Sequence, residues 1–182
     1  MIGRRTALRT LLLALVLAMP TPRVLAMRTP RVQAQAALSP GVLAELAGRW
    51  EGTGTILGQP SRVQMEWTPA LDARFVRLTF VSHIGPEPNA RRFEGHAYYQ
   101  PVGDGRYRAT WFDSSGLVRP IAATSTPGTL VAAWGTAETE VGETTYRLTS
   151  PDRMEVVDRV KSKDGTWREF GRSTLSRTLQ RE

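Results

Sequence analysis

The chain has no cysteine, only two histidines and two lysines, and no apolar run long enough to span a bilayer as a stable helix. Without cysteine there can be neither disulfides nor a lipid-anchored N-terminus, so stability must come from a packed core. Two histidines cannot supply a three-ligand metal site unaided, and no metal-ligand spacing is visible. Serine, histidine and acid form no recognisable triad, and no Gly-x-Ser-x-Gly nucleophile elbow is present. Gly52-x-Gly54 has no helix start behind it and is not a phosphate loop.

What is present begins with an address. Arg4, Arg5 and Arg9 precede an apolar run from Leu11 to Met19 that Pro20 ends, the layout of a secretory signal peptide. We read residues 1–26 as that signal, cleaved after Val24-Leu25-Ala26, and 27–38 as a flexible leader rich in Pro, Arg, Ala and Gln. Cleavage after Ala34 or Ala36 also satisfies the small-residue rule, and the general secretory route is favoured over the twin-arginine route. The formal charge of +7 belongs to this segment. Residues 1–36 hold six arginines and no acids, whereas the remainder carries 18 bases against 17 acids. A nucleic-acid-binding domain would keep a basic stripe after processing, so that class is excluded. The expectation is an exported protein, periplasmic or extracellular, with no stable membrane anchor and unknown oligomeric state.

Residues 39–182 suffice for one domain. Ser39 can cap a short helix with Pro40 at its first position, Val42, Leu43, Leu46 and Ala47 on one side, and Gly48 at its end. Period-two segments then predict strands over 49–57, 61–70, 74–84, 92–100, 106–113, 117–124, 129–138, 143–149, 153–162 and 167–178, with turn residues between them. Asp164-Gly165 is the clearest hairpin signal. About ten antiparallel strands without intervening helices predict an all-β, closed up-and-down barrel with one short N-terminal helix, because closure removes exposed edges. A two-sheet sandwich is the alternative.

Gly48-x-Trp50 after a short helix resembles the opening of the calycin superfamily, which includes lipocalins, fatty-acid-binding proteins and nitrobindin-type haem barrels. Trp67 to Phe75, Tyr107 to Gly116, Trp134 to Thr136, Thr145 to Arg147 and Asp164 to Arg172 resemble a group of bacterial lipocalin-like domains of unknown function. The likeness covers residues 45 to 178 and implies a ten-stranded barrel with a central cavity. It also implies that Trp50 packs across one barrel end beneath an arginine of the last strand, Arg172 or Arg177, a contact stabilising by ~0.5 to 2 kcal/mol. Nitrobindin-like barrels hold haem through a C-terminal histidine, but this chain has none after His96, and its opening continues Thr55-Ile56-Leu57. Only His83 and His96 could serve as axial ligands, and neither matches the family's position, so haem is disfavoured. The Arg-x-Tyr pattern of fatty-acid-binding proteins is absent too.

Three apolar-x-acid pairs recur at strand spacing: Trp111-x-Asp113, Val156-x-Asp158 and Trp167-x-Glu169. A two-residue turn at Asp164-Gly165 sets Val160 opposite Glu169 and Asp158 opposite Gly171, making the two acids diagonal neighbours. On the cavity face they would share a proton and support acid–base chemistry; on the solvent face, or paired with arginines, they would not. Asp113, Asp158 and Glu169 are therefore the weak catalytic candidates.

Binding needs fewer assumptions. Met65, Trp67, Phe80, Tyr99, Tyr107, Trp111, Trp134, Tyr146 and Met154 are candidate cavity walls suited to a lipid, quinone or phenolic ligand, although each alone also suits a packed core. Arg108 and Arg147 are candidate anchors for a ligand carboxylate. The expected function is an exported barrel binding one small apolar or amphipathic molecule. Acid–base catalysis within the cavity, and a filled barrel acting through its surface, are the alternatives.

Overall fold

In the computed structural model, residues 41–178 are described; the signal, the leader, Ser39 and Pro40 lie outside the described residues. One five-residue helix, α1 (Val42–Leu46), precedes ten strands. In chain order these are β1 (Gly48–Ile56), β2 (Gln59–Ala70), β3 (Phe75–Ile84), β4 (Arg91–Gly103), β5 (Arg106–Asp113), β6 (Val118–Thr126), β7 (Thr129–Trp134), β8 (Gly142–Ser150), β9 (Arg153–Lys161) and β10 (Trp167–Thr178). Each pairs antiparallel with its chain neighbours, and β1 pairs with β10 to close the barrel. The alternating pattern specifies which face is inside: Ser61, Val63, Met65 and Trp67 of β2 are buried while the residues between them are more exposed.

Short turns make this meander possible. Leu57-Gly58 and Asp104-Gly105 have positive φ at both residues, the conformation that matches the twist of flanking strands in a two-residue hairpin. Two expectations need correction. β7 ends at Trp134 and not at 138, because Gly135 (φ +87°) turns the chain and donates its N–H to Pro120 O, after which Thr136–Thr139 forms a turn of its own. The β9–β10 connection is also longer than two residues. Ser162 N–H donates to Thr166 O, and Gly165 N–H to Ser162 O, so the loop is the three-residue kind that ends in a left-handed glycine.

That loop shifts the register by one, setting Arg168 opposite Val160 and Glu169 opposite Arg159. A bulge at Phe170 then inserts one residue and restores the expected pairing of Gly171 with Asp158. The two irregularities compensate. Residues 167–170 lie on faces opposite to those expected, Phe170 turning inward with the bulge.

One barrel end is sealed. Val42, Leu43 and Leu46 of α1 are buried with Trp50, Trp67, Leu78, Leu130, Met154 and Leu175 in a single core. Trp50 is fully buried, and its indole N–H donates to Leu46 O at 2.8 Å, tying β1 to the helix. Arg177 lies over the Trp50 ring, 4.2 Å from its centroid, and its guanidinium donates to the carbonyls of Glu45 (2.7 Å), Pro151 (3.0 Å) and Ala47. These are the carbonyls a short helix and a turn leave unpaired. Arg172, the other candidate for this position, is on the outer surface with Glu155 and Glu169.

β1 and β10 also approach unusually closely: a Cβ on Gly52 would sit 2.0 Å from Thr174 O, and one on Gly54 2.0 Å from Arg172 O. Arg177→Ala should destabilise the fold by about 2–4 kcal/mol in urea unfolding followed by tryptophan fluorescence. Arg177→Lys should recover less than half of that, because an ammonium cannot donate along three fixed directions while stacked on the indole.

Candidate functional site

The opposite half of the barrel is hollow. Between a floor of Met65, Tyr99 and Tyr146 and a rim that includes Ile56, Phe93, Trp134 and Phe170 lies a cavity of about 260 Å³. It reaches solvent through exposed Leu57, Arg91 and Glu140. This volume is just below the ~300–1,000 Å³ usual for small-molecule sites, which sets the scale of ligand at roughly one or two rings. The mouth half is therefore less tightly filled than the helix end.

All nine wall candidates project inward, but the structure brings only six to the cavity: Met65, Phe80, Tyr99, Trp111, Trp134 and Tyr146. Trp67 lies beneath the floor, its ring centroid 5.3 Å from that of Tyr99 and 5.1 Å from that of Tyr146. Met154 and Tyr107 are buried outside the cavity lining. The arginine anchors fare differently. Arg108 is exposed and donates to Gln100, and Arg147 is exposed and paired with Glu155, so both face outward and neither can meet a ligand inside. Their strand parity is opposite to that of Tyr107 and Tyr146, which does reside in the sequence.

Two indoles shape the walls because glycines sit beneath them. A Cβ on Gly95 would lie 2.0 Å from the Trp111 ring, and one on Gly142 1.9 Å from the Trp134 ring, so each tryptophan lies flat against a neighbouring strand. Their N–H groups are satisfied locally: Trp111 Nε1 donates to Asp113 Oδ2 at 3.0 Å, and Trp134 Nε1 to Thr144 Oγ1 at 3.2 Å. Residue-type reasoning missed Arg119, Thr144, Ser82 and Phe170, all in the lining. Phe170 enters only through the bulge, and its ring stands edge-on to Trp134 with centroids 6.3 Å apart. Arg119 stacks over Trp134 at 5.2 Å and pairs with Asp113 (3.8 Å) and Glu140 (3.4 Å) at the mouth.

The three acids divide sharply. Asp113 lines the mouth with its side chain 2 % exposed, but it is fully engaged by Trp111, by the hydroxyl and backbone N–H of Ser115, and by Leu117 N–H. Burial pushes its carboxyl up, yet these hydrogen bonds together outweigh that and hold it below its ordinary value. It organises the β5–β6 turn. Glu169 is not in the cavity at all: the register shift turns it outward, where Arg172 lowers its pKa. The diagonal pair of acids does not form.

Asp158 alone faces the interior without a cation. Thr144 Oγ1 donates to its Oδ1 at 2.7 Å, completing a chain from Trp134 N–H through Thr144 to the carboxylate. Desolvation pushes Asp158 up to about 6, against an ordinary value of 3.8. Burial also pushes the Tyr99 and Tyr146 phenols upward, for Tyr146 with added repulsion from Tyr99 and Asp158, so both stay protonated at neutral pH.

His83 and His96 fall on the outward parity of β3 and β4. His96 contacts Glu94 (3.1 Å) and Thr79 (3.4 Å), and neither imidazole lines the cavity. The residues present therefore do not fit a histidine-ligated haem inside this barrel. Among the described residues no group of three side chains capable of holding a metal ion occurs.

For Asp158 the folded state prefers the protonated form. Its contribution to stability is most favourable below pH ~4 and is lost as pH rises to about 6, above which a penalty on the order of 3 kcal/mol persists. Asp158→Asn should accordingly be more stable than wild type at pH 7.5 by about 1–3 kcal/mol, and the gap should close near pH 4; urea titrations of both proteins at the two pH values measure it.

No family model and no curated protein sequence matches the chain. Among solved structures it is similar to Rv2717c from M. tuberculosis, at 16% identity and a TM-score of 0.59 over 78% of this chain and 99% of that one. Designed barrels are also similar, among them EF1p2_mFAP2b bound to DFHBI (17% identity, TM-score 0.46, 75% of this chain and 97% of that one). The redesigned barrel mFAP1 bound to DFHBI is another (17% identity, TM-score 0.43, 75% and 98%). At such identities the likeness to Rv2717c is one of fold alone, a closed antiparallel β-barrel.

Proposed function

We propose that the protein is an exported carrier or sensor that binds one small, largely apolar molecule in the mouth half of the barrel. The observation that carries this reading is the asymmetry of the interior: one end is packed solid and sealed by α1, while the other holds a solvent-connected, aromatic-lined cavity of about 260 Å³. Emptying half of a small barrel forgoes packing that an inert scaffold would keep. Trp111 and Trp134, locked on their glycine seats, give the cavity preformed walls and so a low ordering cost on binding. Export is inferred from the N-terminal pattern alone.

Acid–base catalysis survives as a second reading in reduced form. Of the three acids only Asp158 is suitably placed, and a carboxyl near 6 with two neutral phenols nearby suits proton transfer to a bound carbonyl compound. Catalysis would require Asp158→Asn to abolish turnover while leaving binding intact; a carrier shows no turnover to abolish.

Binding is tested by titrating the protein with an apolar fluorescent probe such as 1-aminoanthracene and following quenching of Trp111 and Trp134. Saturable one-to-one binding is expected. Ala132→Phe, which adds a ring at a buried position in the cavity wall, should weaken the probe at least about tenfold without lowering stability, since it fills a void. Equal affinity in that variant, or no saturable binding by the wild type, would refute a site in this cavity.

A further inference from the structure

The cavity contains more polar information than an apolar ligand uses. Its lining includes three acids, Asp113, Glu140 and Asp158, against two arginines, Arg91 and Arg119. Arg119 is committed to Asp113 and Glu140 at the mouth. Ionised Asp158 is therefore the charge in excess, and it is the deepest of them, set beside Tyr146 and Thr144. Only Oδ1 accepts a hydrogen bond from the described residues; Oδ2 lies beside Gly171, where there is no side chain to cover it.

The surrounding surface is aromatic. Phe80, Phe93, Tyr99, Trp111, Trp134 and Tyr146 all present rings to the same space. Aromatic faces carry negative potential, and a box of them around one carboxylate is the arrangement that recognises an organic ammonium ion. A second polar group points the same way. Ser82 is fully buried, lines the cavity, and its hydroxyl has no hydrogen-bond partner among the described residues. Such a group is retained at a cost unless something in the cavity engages it.

We propose that the ligand of this cavity is a small aryl-alkyl amine, its ring held between the tryptophans and phenylalanines and its ammonium group donating to Asp158. This rests on the binding reading above and narrows it. An ammonium has three donors, so it can serve the free oxygen of Asp158 and still contact the neutral hydroxyl of Tyr146 beside it. A cation beside the carboxylate offsets the desolvation penalty on Asp158. The other charges around Asp158 do not substitute for the ligand: Arg168 on β10 is opposite Val160 on the same face but is exposed and outside the cavity lining, Glu169 is acidic and faces outward, Arg159 on β9 takes the outward parity, and Arg91 is exposed at the rim.

The test compares three compounds of nearly equal size by calorimetry: 2-phenylethylamine, 2-phenylethanol and phenylacetate. At pH 7.5 the amine should bind at least about tenfold more tightly than the alcohol, with phenylacetate weakest. The advantage should shrink as pH falls through about 6, where Asp158 takes up its proton. Asp158→Asn should erase the difference between amine and alcohol while melting at or above the wild-type temperature. If the probe binds the wild type and the alcohol or phenylacetate equals or exceeds the amine, the amine assignment is overturned and the carrier reading stands. If a preference for the amine persists unchanged in Asp158→Asn, the cation is held elsewhere and the assignment fails. If neither the probe nor any of the three compounds binds, it is the carrier reading that falls.

Discussion

Everything in this barrel depends on closing the seam between the first and last strands. An open ten-strand meander would leave β1 and β10 as long unpaired edges, whereas their pairing from Arg49–Thr178 to Ile56–Gly171 satisfies both and fixes the circumference. The seam is tight because Gly52 and Gly54 let the backbones approach where any side chain would collide with a carbonyl. It is locked at one end by Arg177. That single guanidinium spans the last strand, the turn at Pro151 and the carbonyls of Glu45 and Ala47 around α1, and stacks on the fully buried Trp50. In a chain without cysteine, this clasp ties the last strand to the N-terminal helix without a covalent cross-link.

Sealing one end frees the other. The bulky residues Trp50, Trp67, Leu78, Leu130, Met154 and Leu175 fill the helix end to core density, so cohesion does not require the mouth half to be filled. There the chain places glycine under tryptophan twice, at Gly95–Trp111 and Gly142–Trp134. A larger residue at either position would drive the indole toward the barrel axis and fill the space. The small Ala132 and Ser82, in the same lining, have the same effect of leaving volume. The cavity is thus a property of several small residues facing large ones, and it is connected to solvent through the mouth loops.

The meander was legible in the sequence because period-two alternation and Gly-containing turns are local signals. So was the helix that ends before Trp50. The sequence could not rank depth: Trp67, Met154 and Tyr107 share the inward parity of Trp111 and Trp134, and only the pairing of ten strands shows that the former three lie outside the cavity lining. Nor could it give the β9–β10 register, since Asp164-Gly165 suits a two-residue turn and equally the three-residue loop observed. That one-residue difference turned Glu169 outward, and the bulge that absorbs it delivered Phe170 to the rim. Arg108 and Arg147 suit a carboxylate by chemistry alone: adjacent residues on a strand point to opposite faces, so neither shares a face with its tyrosine neighbour.

The contrast between the two interior acids carries the functional argument furthest. Asp113 is surrounded by donors from its own turn, and its lowered pKa marks a carboxylate whose charge contributes to stability. Asp158 receives one hydrogen bond, from Thr144, and its raised pKa marks a carboxylate that folding disfavours at neutral pH. A chain selected for stability alone would replace it with an apolar residue like Val156, two positions earlier on the same face of β9. Its position opposite Gly171 sharpens the point, because the glycine leaves room for the carboxylate instead of covering it with a side chain. An uncompensated acid retained in an otherwise aromatic, preformed cavity is the pattern expected where compensation comes from outside the chain, from the molecule that the cavity receives.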